Sequence, residues 1–192
     1  MTKEEVLAAY EKTGGILKGH FLLTSGRHSD TYMQSAKLFV HPEEAEKIVA
    51  ALAEKLAVYR PDVIVSPAVG GIILGYELAR QMKAINYFAE RENGEMTLRR
   101  GFALEKGSRV VVAEDVVTTG GSVKEVIALC KRLGAEVVAC ASVVDRSNGK
   151  VEFEVPYVPL LSMEVTSWEP DECPLCKAGA PAPYKPGSRG VK

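Results

Sequence analysis

The stretch VVVAEDVVTTGGS, Val110 to Ser122, decides the fold of this chain. Val110-Val111-Val112-Ala113 is a short β-branched apolar run, the pattern of a strand buried on both faces of a parallel sheet. Two carboxylates, Glu114 and Asp115, follow at its end. After Val116 and Val117 comes a turn, Thr118-Thr119-Gly120-Gly121, and Ser122 opens an amphipathic segment. Ser122 and Glu125 have reciprocal capping spacing, which predicts a helix capped by Ser122. That helix is expected to run to Leu133, burying Val123, Val126, Ile127, Cys130 and Leu133, with Gly134 as its stop. Such a turn gathers backbone N–H groups and three hydroxyls at a helix N-terminus, where orphan donors and the helix dipole attract a phosphate monoester. Carboxylates beside an anion site serve no purpose for phosphate alone. They suit a ligand that also carries hydroxyls or a metal ion, as a ribose 5-phosphate does. The plainer alternative is an ordinary strand-to-helix turn with a capped helix. No G-x-x-x-x-G-K-[ST] loop occurs, and no G-x-G-x-x-G follows a strand.

Moving outward, strands are expected at Val63–Val65, near Ile85 to Ala89, at Val137 to Val144 and at Val158 to Met163. Helices alternate with them. Gly70-Gly71 leads into one ending at Met82, and Pro42, followed by Glu43 and Glu44, opens another that carries Ala45, Ile48, Val49, Leu52, Ala53 and Leu56 on one face. This alternation predicts an α/β fold, a central parallel sheet flanked by helices. Thr2 and Glu5 cap a first helix, with Val6, Leu7 and Tyr10 as its apolar stripe and Gly14-Gly15 as its end. Lys18 to Phe39 reads as strand, loop, strand. Asn93-Gly94, within the segment from Glu90 to Ser108, signals a hairpin flanked by Arg91 and by Arg99-Arg100. From Glu169 onward the chain is rich in Pro, Gly and Lys and is expected to lack a core of its own.

Composition sets the outer limits. The chain has 192 residues, 46% apolar and 26% charged, the size and balance of one globular domain. Lys and Arg number 24 against 25 Asp and Glu, a net charge of −1, so no overall field draws it to nucleic acid or anionic lipid. No apolar run reaches the roughly 18 residues needed to span a bilayer. The acidic, helical N-terminus is unlike a signal peptide. With four cysteines only, a cytoplasmic protein without membrane or nucleic-acid partners is expected.

VVVAEDVVTTGGS resembles the phosphoribosyl-pyrophosphate (PRPP) signature of the type I phosphoribosyltransferases. Within them the chain is similar to the orotate-specific family. FLLTSGRHSDTY, Phe21 to Tyr32, resembles the segment of a small N-terminal hood in which that family places base-binding residues. SPAVGG, Ser66 to Gly71, holds the position of its pyrophosphate loop, and VVDRSNG, Val143 to Gly149, matches the strand end whose arginine meets the orotate carboxylate. The resemblance implies one domain over 1–192, with 1–40 contributing to the hood, 41–165 forming the core and 166–192 a tail. It implies transfer of the phosphoribosyl group from PRPP to orotate with magnesium present, mainly held by PRPP itself. Val116, Val117, Thr118, Thr119, Gly120, Gly121 and Ser122 would then bind PRPP together with Ala68, Val69 and Gly70. Glu114 and Asp115 would hold the ribose hydroxyls, while Arg146, Thr118 and Tyr32 would meet orotate. A guanidinium pairs with a planar carboxylate through two parallel hydrogen bonds, which uracil cannot offer.

Three departures accompany the resemblance, and they resemble those of a thermophile-type branch. The pyrophosphate loop reads Ala68-Val69-Gly70 where family members often carry a lysine. Thr24 stands where a lysine often precedes Ser-Gly. The mobile loop, Glu90 to Gly101, is short, and its cations are Arg91, Arg99 and Arg100, which become the candidates for neutralising pyrophosphate. In the family this loop reaches the neighbouring subunit's site, which implies a homodimer. A solvated hairpin face is the competing reading of these arginines. Two further readings of the whole chain stay open: a transferase for adenine, xanthine or uracil, and a PRPP-binding regulator without activity. Cys173 and Cys176 are half of a zinc site. His20, His28 and His41 lie in the distant hood, so two free thiols in a loose tail are expected, with a disulfide or a Cys₄ site across a dimer as alternatives.

Overall fold

The computed structural model describes residues 1–23, 25–147 and 149–186. Helix α1 (Lys3–Lys12) starts with the expected reciprocal cap of Thr2 and Glu5. Strands β1 (Ile16–Leu22) and β2 (His28–Met33) pair antiparallel as a separate two-stranded sheet, the hood. The main chain of the fold then runs α2 (Ser35–Phe39), α3 (Pro42–Leu56), β3 (Val63–Pro67), α4 (Gly71–Met82), β4 (Ile85–Glu92), β5 (Glu95–Leu98), β6 (Arg109–Val117), α5 (Gly121–Arg132), β7 (Glu136–Asp145), β8 (Tyr157–Ser162) and the one-turn α6 (Pro174–Lys177). Six strands form one sheet in the order β5-β4-β3-β6-β7-β8, parallel throughout except for β5 against β4.

The period-2 alternation of β6 divides the core. Val111 and Ala113 pack on one face with Ile48, Leu52, Leu74 and Leu78 of α3 and α4. Val110 and Val112 pack on the other with Val126, Ile127 and Cys130 of α5. Burial of these side chains on both faces is the main favourable term holding sheet to helices. Asn93 and Gly94 both have positive φ (51° and 89°), the backbone that a two-residue hairpin turn requires. Among the described residues no helix is long and apolar enough to cross a membrane.

Four local expectations are corrected. Helix α2 replaces the end of the strand expected up to Phe39: five residues are too few for a periodic signal, but Leu38 and Phe39 are buried and Tyr10 Oη meets Ser35 Oγ at 2.9 Å. The helix after the phosphate turn begins at Gly121, one residue early, with Gly120 rather than Ser122 as its cap and no side-chain cap bond. Ser122 therefore sits inside the first turn, and Glu125 turns away to Arg91. Leu133 lies past that helix at 43% exposure instead of in the core. Among the described residues the tail adds no member to either core cluster, but it is docked rather than loose. Trp168 exchanges backbone hydrogen bonds with His28 (2.8 and 2.9 Å), and Tyr184 does so with His20 and Leu22 (both 2.8 Å).

Candidate active site

Strand β3 connects to β4 on one side, whereas β6 lies on its other side and leads on to β7 and β8. The strand order thus switches sides between the parallel strands β3 and β6, and in open α/β sheets the crevice at the carboxyl ends of such strands takes the ligand. Every segment singled out for chemistry in the core ends there: Ala68–Gly70 after β3, Glu114 to Gly120 at the end of β6, and Arg146 after β7.

Strand β6 extends through the acidic pair to Val117 instead of ending before it. Glu114 pairs in register with Ser142, and Val117 with Asp145. Val116 and Val117 pack into opposite halves of the core, so only their backbone can serve a ligand. Asp115 accepts a hydrogen bond from the Val116 N–H (2.9 Å), and Glu114 accepts one from the Asp115 N–H (3.2 Å). Burial first, then the neighbouring Asp115 charge, holds the Glu114 carboxyl well above its ordinary range. The loop after β3 presses on these acids. A Cβ on Gly70 would stand 3.0 Å from Asp115 Oδ1, and one on Gly71 would stand 3.4 Å from Glu114 Oε1. Glycine at these two places lets the loop backbone lie against the carboxylates. The Ala68–Val69 peptide within it is cis.

At the phosphate turn Thr118 and Thr119 are exposed, and Gly120 is buried with φ of +73°. Left-handed backbone there swings the chain into α5, and among the described residues no side chain caps the first N–H groups of the helix. A Cβ at Gly120 would meet Val151 Cγ1 at 2.6 Å and the Phe153 ring at 2.9 Å.

Arg146 is the unusual group of the site. Its backbone N–H is anchored on the Val117 carbonyl at 2.8 Å, directly beside the phosphate turn. Its guanidinium lies 5.6 Å from the centre of the Tyr32 ring, within cation–π range. Its Nε is buried and, among the described residues, has no hydrogen-bond partner. Burial lowers its pKa, opposed only weakly by Tyr32. A buried donor left unpaired costs free energy unless something arrives to accept its hydrogen bonds. Tyr32, half-buried on β2, also feels the charges of both Arg146 and Asp115. The hood therefore closes over the same crevice.

The arginine hairpin is organised differently. Arg91 pairs with Glu125 (2.7 Å), Arg99 with Glu92 (3.3 Å) and Arg100 with Glu90 (2.8 Å). None of the three contacts Glu114 or Asp115 among the described residues. Within one chain they form the solvated hairpin face. Thr24 lies outside the described residues. The expectation that no histidine reaches the Cys173/Cys176 pair is overturned, because His20 and His28 lie beside both sulfurs. A cue was present in the sequence, since these are two of only three histidines, but a separation of more than 140 residues hid their proximity.

Taken with this geometry, the match to the phosphoribosyl transferase domain over residues 36–174 shows that the chain belongs to the phosphoribosyltransferase family. Over 189 residues, 98% of this chain and 99% of the relative, it is 56% identical to the orotate phosphoribosyltransferase of Caldanaerobacter subterraneus subsp. tengcongensis. It is 54% identical over 182 residues to that of Thermotoga maritima, covering 95% and 97% of the two chains. Within the family it stands among the orotate phosphoribosyltransferases. Solved structures confirm the fold. Orotate phosphoribosyltransferase from Aeropyrum pernix superposes with a TM-score of 0.73 at 24% identity, over 82% of this chain and 93% of that one. An adenine phosphoribosyltransferase from Thermoanaerobacter pseudethanolicus reaches 0.62 at 17%, over 69% and 88%. The scaffold is thus common to enzymes acting on different bases, and base choice must lie in side chains.

Proposed function

We infer that this chain transfers the 5-phosphoribosyl group of PRPP to orotate, giving orotidine 5′-phosphate and pyrophosphate. The observation that carries orotate over other bases is Arg146 beside the phosphate turn, whose buried Nε has no hydrogen-bond partner among the described residues. A carboxylate on the incoming base supplies the acceptors it lacks, and the Tyr32 ring bounds the same space. The bond from the anomeric carbon to pyrophosphate breaks as the bond to the orotate ring nitrogen forms, and positive charge builds on the ribose. Positioning and electrostatics dominate such a displacement. Thr118 to Ser122 grip the 5-phosphate with outward N–H groups and hydroxyls, while Glu114 and Asp115 accept from ribose hydroxyls and favour the cationic ring.

Magnesium fits the donor set. Two adjacent carboxylates, one of them driven toward its neutral form by burial, gain when a cation or hydroxyl donors arrive beside them. Glu114 and Asp115 would face the ion, which is held mainly by pyrophosphate and ribose oxygens and waters. When bound, it offsets the charge of the departing pyrophosphate.

A homodimer belongs to the same proposal. Val69, Ile73 and Tyr76 leave an apolar stripe on and before α4, at 79%, 54% and 63% exposure, that a second copy would cover. The neighbour's Arg91, Arg99 or Arg100 would then supply the cation that Ala68-Val69-Gly70 lacks. The free cysteines suit a cytoplasmic setting. Incubation with PRPP, magnesium and each of orotate, uracil, adenine and xanthine tests base choice. Consumption of orotate alone is expected; turnover of a purine in preference to orotate would overturn the assignment, and PRPP binding without turnover of any base would mark a regulator.

A further inference from the structure

We propose that His20, His28, Cys173 and Cys176 form a structural zinc site that clamps the C-terminal tail onto the hood. The four residues come from three places in the chain, yet one potential ligand atom from each lies within 4.8 Å of all the others. His20 Nε2 is 3.5 Å from Cys173 Sγ and 3.6 Å from Cys176 Sγ, and His28 Nδ1 is 3.3 Å from Cys176 Sγ. In a tetrahedron with Zn–S of about 2.3 Å and Zn–N of about 2.0–2.1 Å, the S···N edges are about 3.5 Å and the N···N edge about 3.3 Å. The observed His20–His28 separation of 3.1 Å is close to that edge.

Protonation favours the same reading. His20 Nδ1 lies 2.8 Å from the Pro181 carbonyl, which can only accept, so Nδ1 carries the proton and Nε2 turns its lone pair into the cluster. An imidazole steered by a backbone carbonyl is the usual outer support of a metal ligand. Two thiol groups and two ring nitrogens converging on one point form a borderline-soft S₂N₂ set, which selects zinc over magnesium or calcium. Four protein ligands complete the tetrahedron and leave no position for substrate, so the role is structural.

The scaffold shows what the ion would hold. Backbone hydrogen bonds tie His28 to Trp168 and His20 to Tyr184, and the Cys pair lies between those two tail contacts. Apart from the one-turn α6, that segment has no regular structure of its own. Strand β2 carries both His28 and Tyr32, so the clamp stiffens the strand whose ring packs against Arg146.

The test uses the full chain purified without chelator. Elemental analysis is expected to find one zinc per chain after gel filtration, released as the thiols are titrated with a mercurial. Exchange with cobalt(II) should give thiolate-to-cobalt charge transfer and the strong visible bands of tetrahedral coordination, a measurement that needs no variant. Cys173→Ser/Cys176→Ser and His20→Asn/His28→Asn should lower metal content to background, while His41→Asn should not change it. Background zinc with both thiols reacting at once would overturn the proposal. So would thiols that appear only after reduction, marking a disulfide, or a weak octahedral cobalt spectrum.

Discussion

Truncating Arg146 to alanine isolates the interaction on which the proposed base choice rests. The side chain is partly buried, its Nε is buried without a partner among the described residues, and its guanidinium lies 5.6 Å from the Tyr32 ring centre. Removing one partner of a buried, hydrogen-bonded charge pair costs about 2–5 kcal/mol. At about 1.4 kcal/mol per factor of ten, kcat/KM for orotate should fall ~30- to ~4000-fold. The loss should appear mainly as a higher orotate KM, because the carboxylate is held in ground and transition states alike. The KM for PRPP should stay nearly constant. Arg146→Lys should fall between the two, since an ammonium keeps the charge but cannot form two parallel bonds. Discrimination against uracil should shrink with the same change, because only orotate loses an interaction. Stability supplies an independent check. Burial lowers the Arg146 pKa, so at every pH below that value the ligand-free chain carries a desolvated charge. The alanine variant should therefore melt no lower by more than a few degrees, yet lose the stabilisation that orotate confers on the parent. Initial-rate kinetics varying each substrate, paired with melting curves with and without orotate, make the measurement. Equal changes in both KM values, or a loss below tenfold, would refute the reasoning.

Two further changes probe the rest of the site. Asp115→Asn keeps an oxygen for the Val116 N–H but removes the charge proposed to face the ribose, so turnover should fall ~100- to ~1000-fold at an unchanged melting temperature. Beside it, Glu114 has a folded pKa above the ordinary carboxyl value of 4.5. As pH rises through the window between those values the folded chain keeps a proton the unfolded chain has lost, so stability declines and the full cost is present above it. Glu114→Gln should accordingly melt no lower than the parent at neutral pH, with its advantage vanishing toward pH 4, as calorimetry across pH would show. Gly120→Ala forces a side chain onto left-handed backbone and into Val151, at about 1–2 kcal/mol for the backbone alone. A drop of at least ~2–8 °C in Tm is expected. Gly121→Ala, whose Cβ finds nothing nearer than Thr119 Oγ1 at 3.8 Å, should leave Tm almost unchanged.

Much of this was legible in the sequence because the decisive signals are local. A β-branched run, two acids, a glycine turn and an amphipathic helix lie within about two dozen residues. Each is dictated by its own backbone chemistry: sheet burial needs the valines, and the reversal into α5 needs a glycine. The alternation of strands and helices likewise specified a parallel sheet, whose carboxyl edge is where ligands bind. Local reading failed where two rules competed over one or two residues. Ser122 matched a cap pattern, but the left-handed Gly120 starts the helix earlier and leaves its first N–H groups without a side-chain cap.

What only the tertiary structure decided depends on distance along the chain. Nothing near Arg146 in sequence reveals that its Nε is buried without a partner among the described residues and that its guanidinium faces Tyr32, more than a hundred residues away. Nor does the composition of the tail show that it pairs with both strands of the hood and brings Cys173 and Cys176 to His20 and His28. Sequence patterns report the preferences of neighbouring residues. A buried charge or a ligand cluster is a property of surfaces that meet only after the chain has folded.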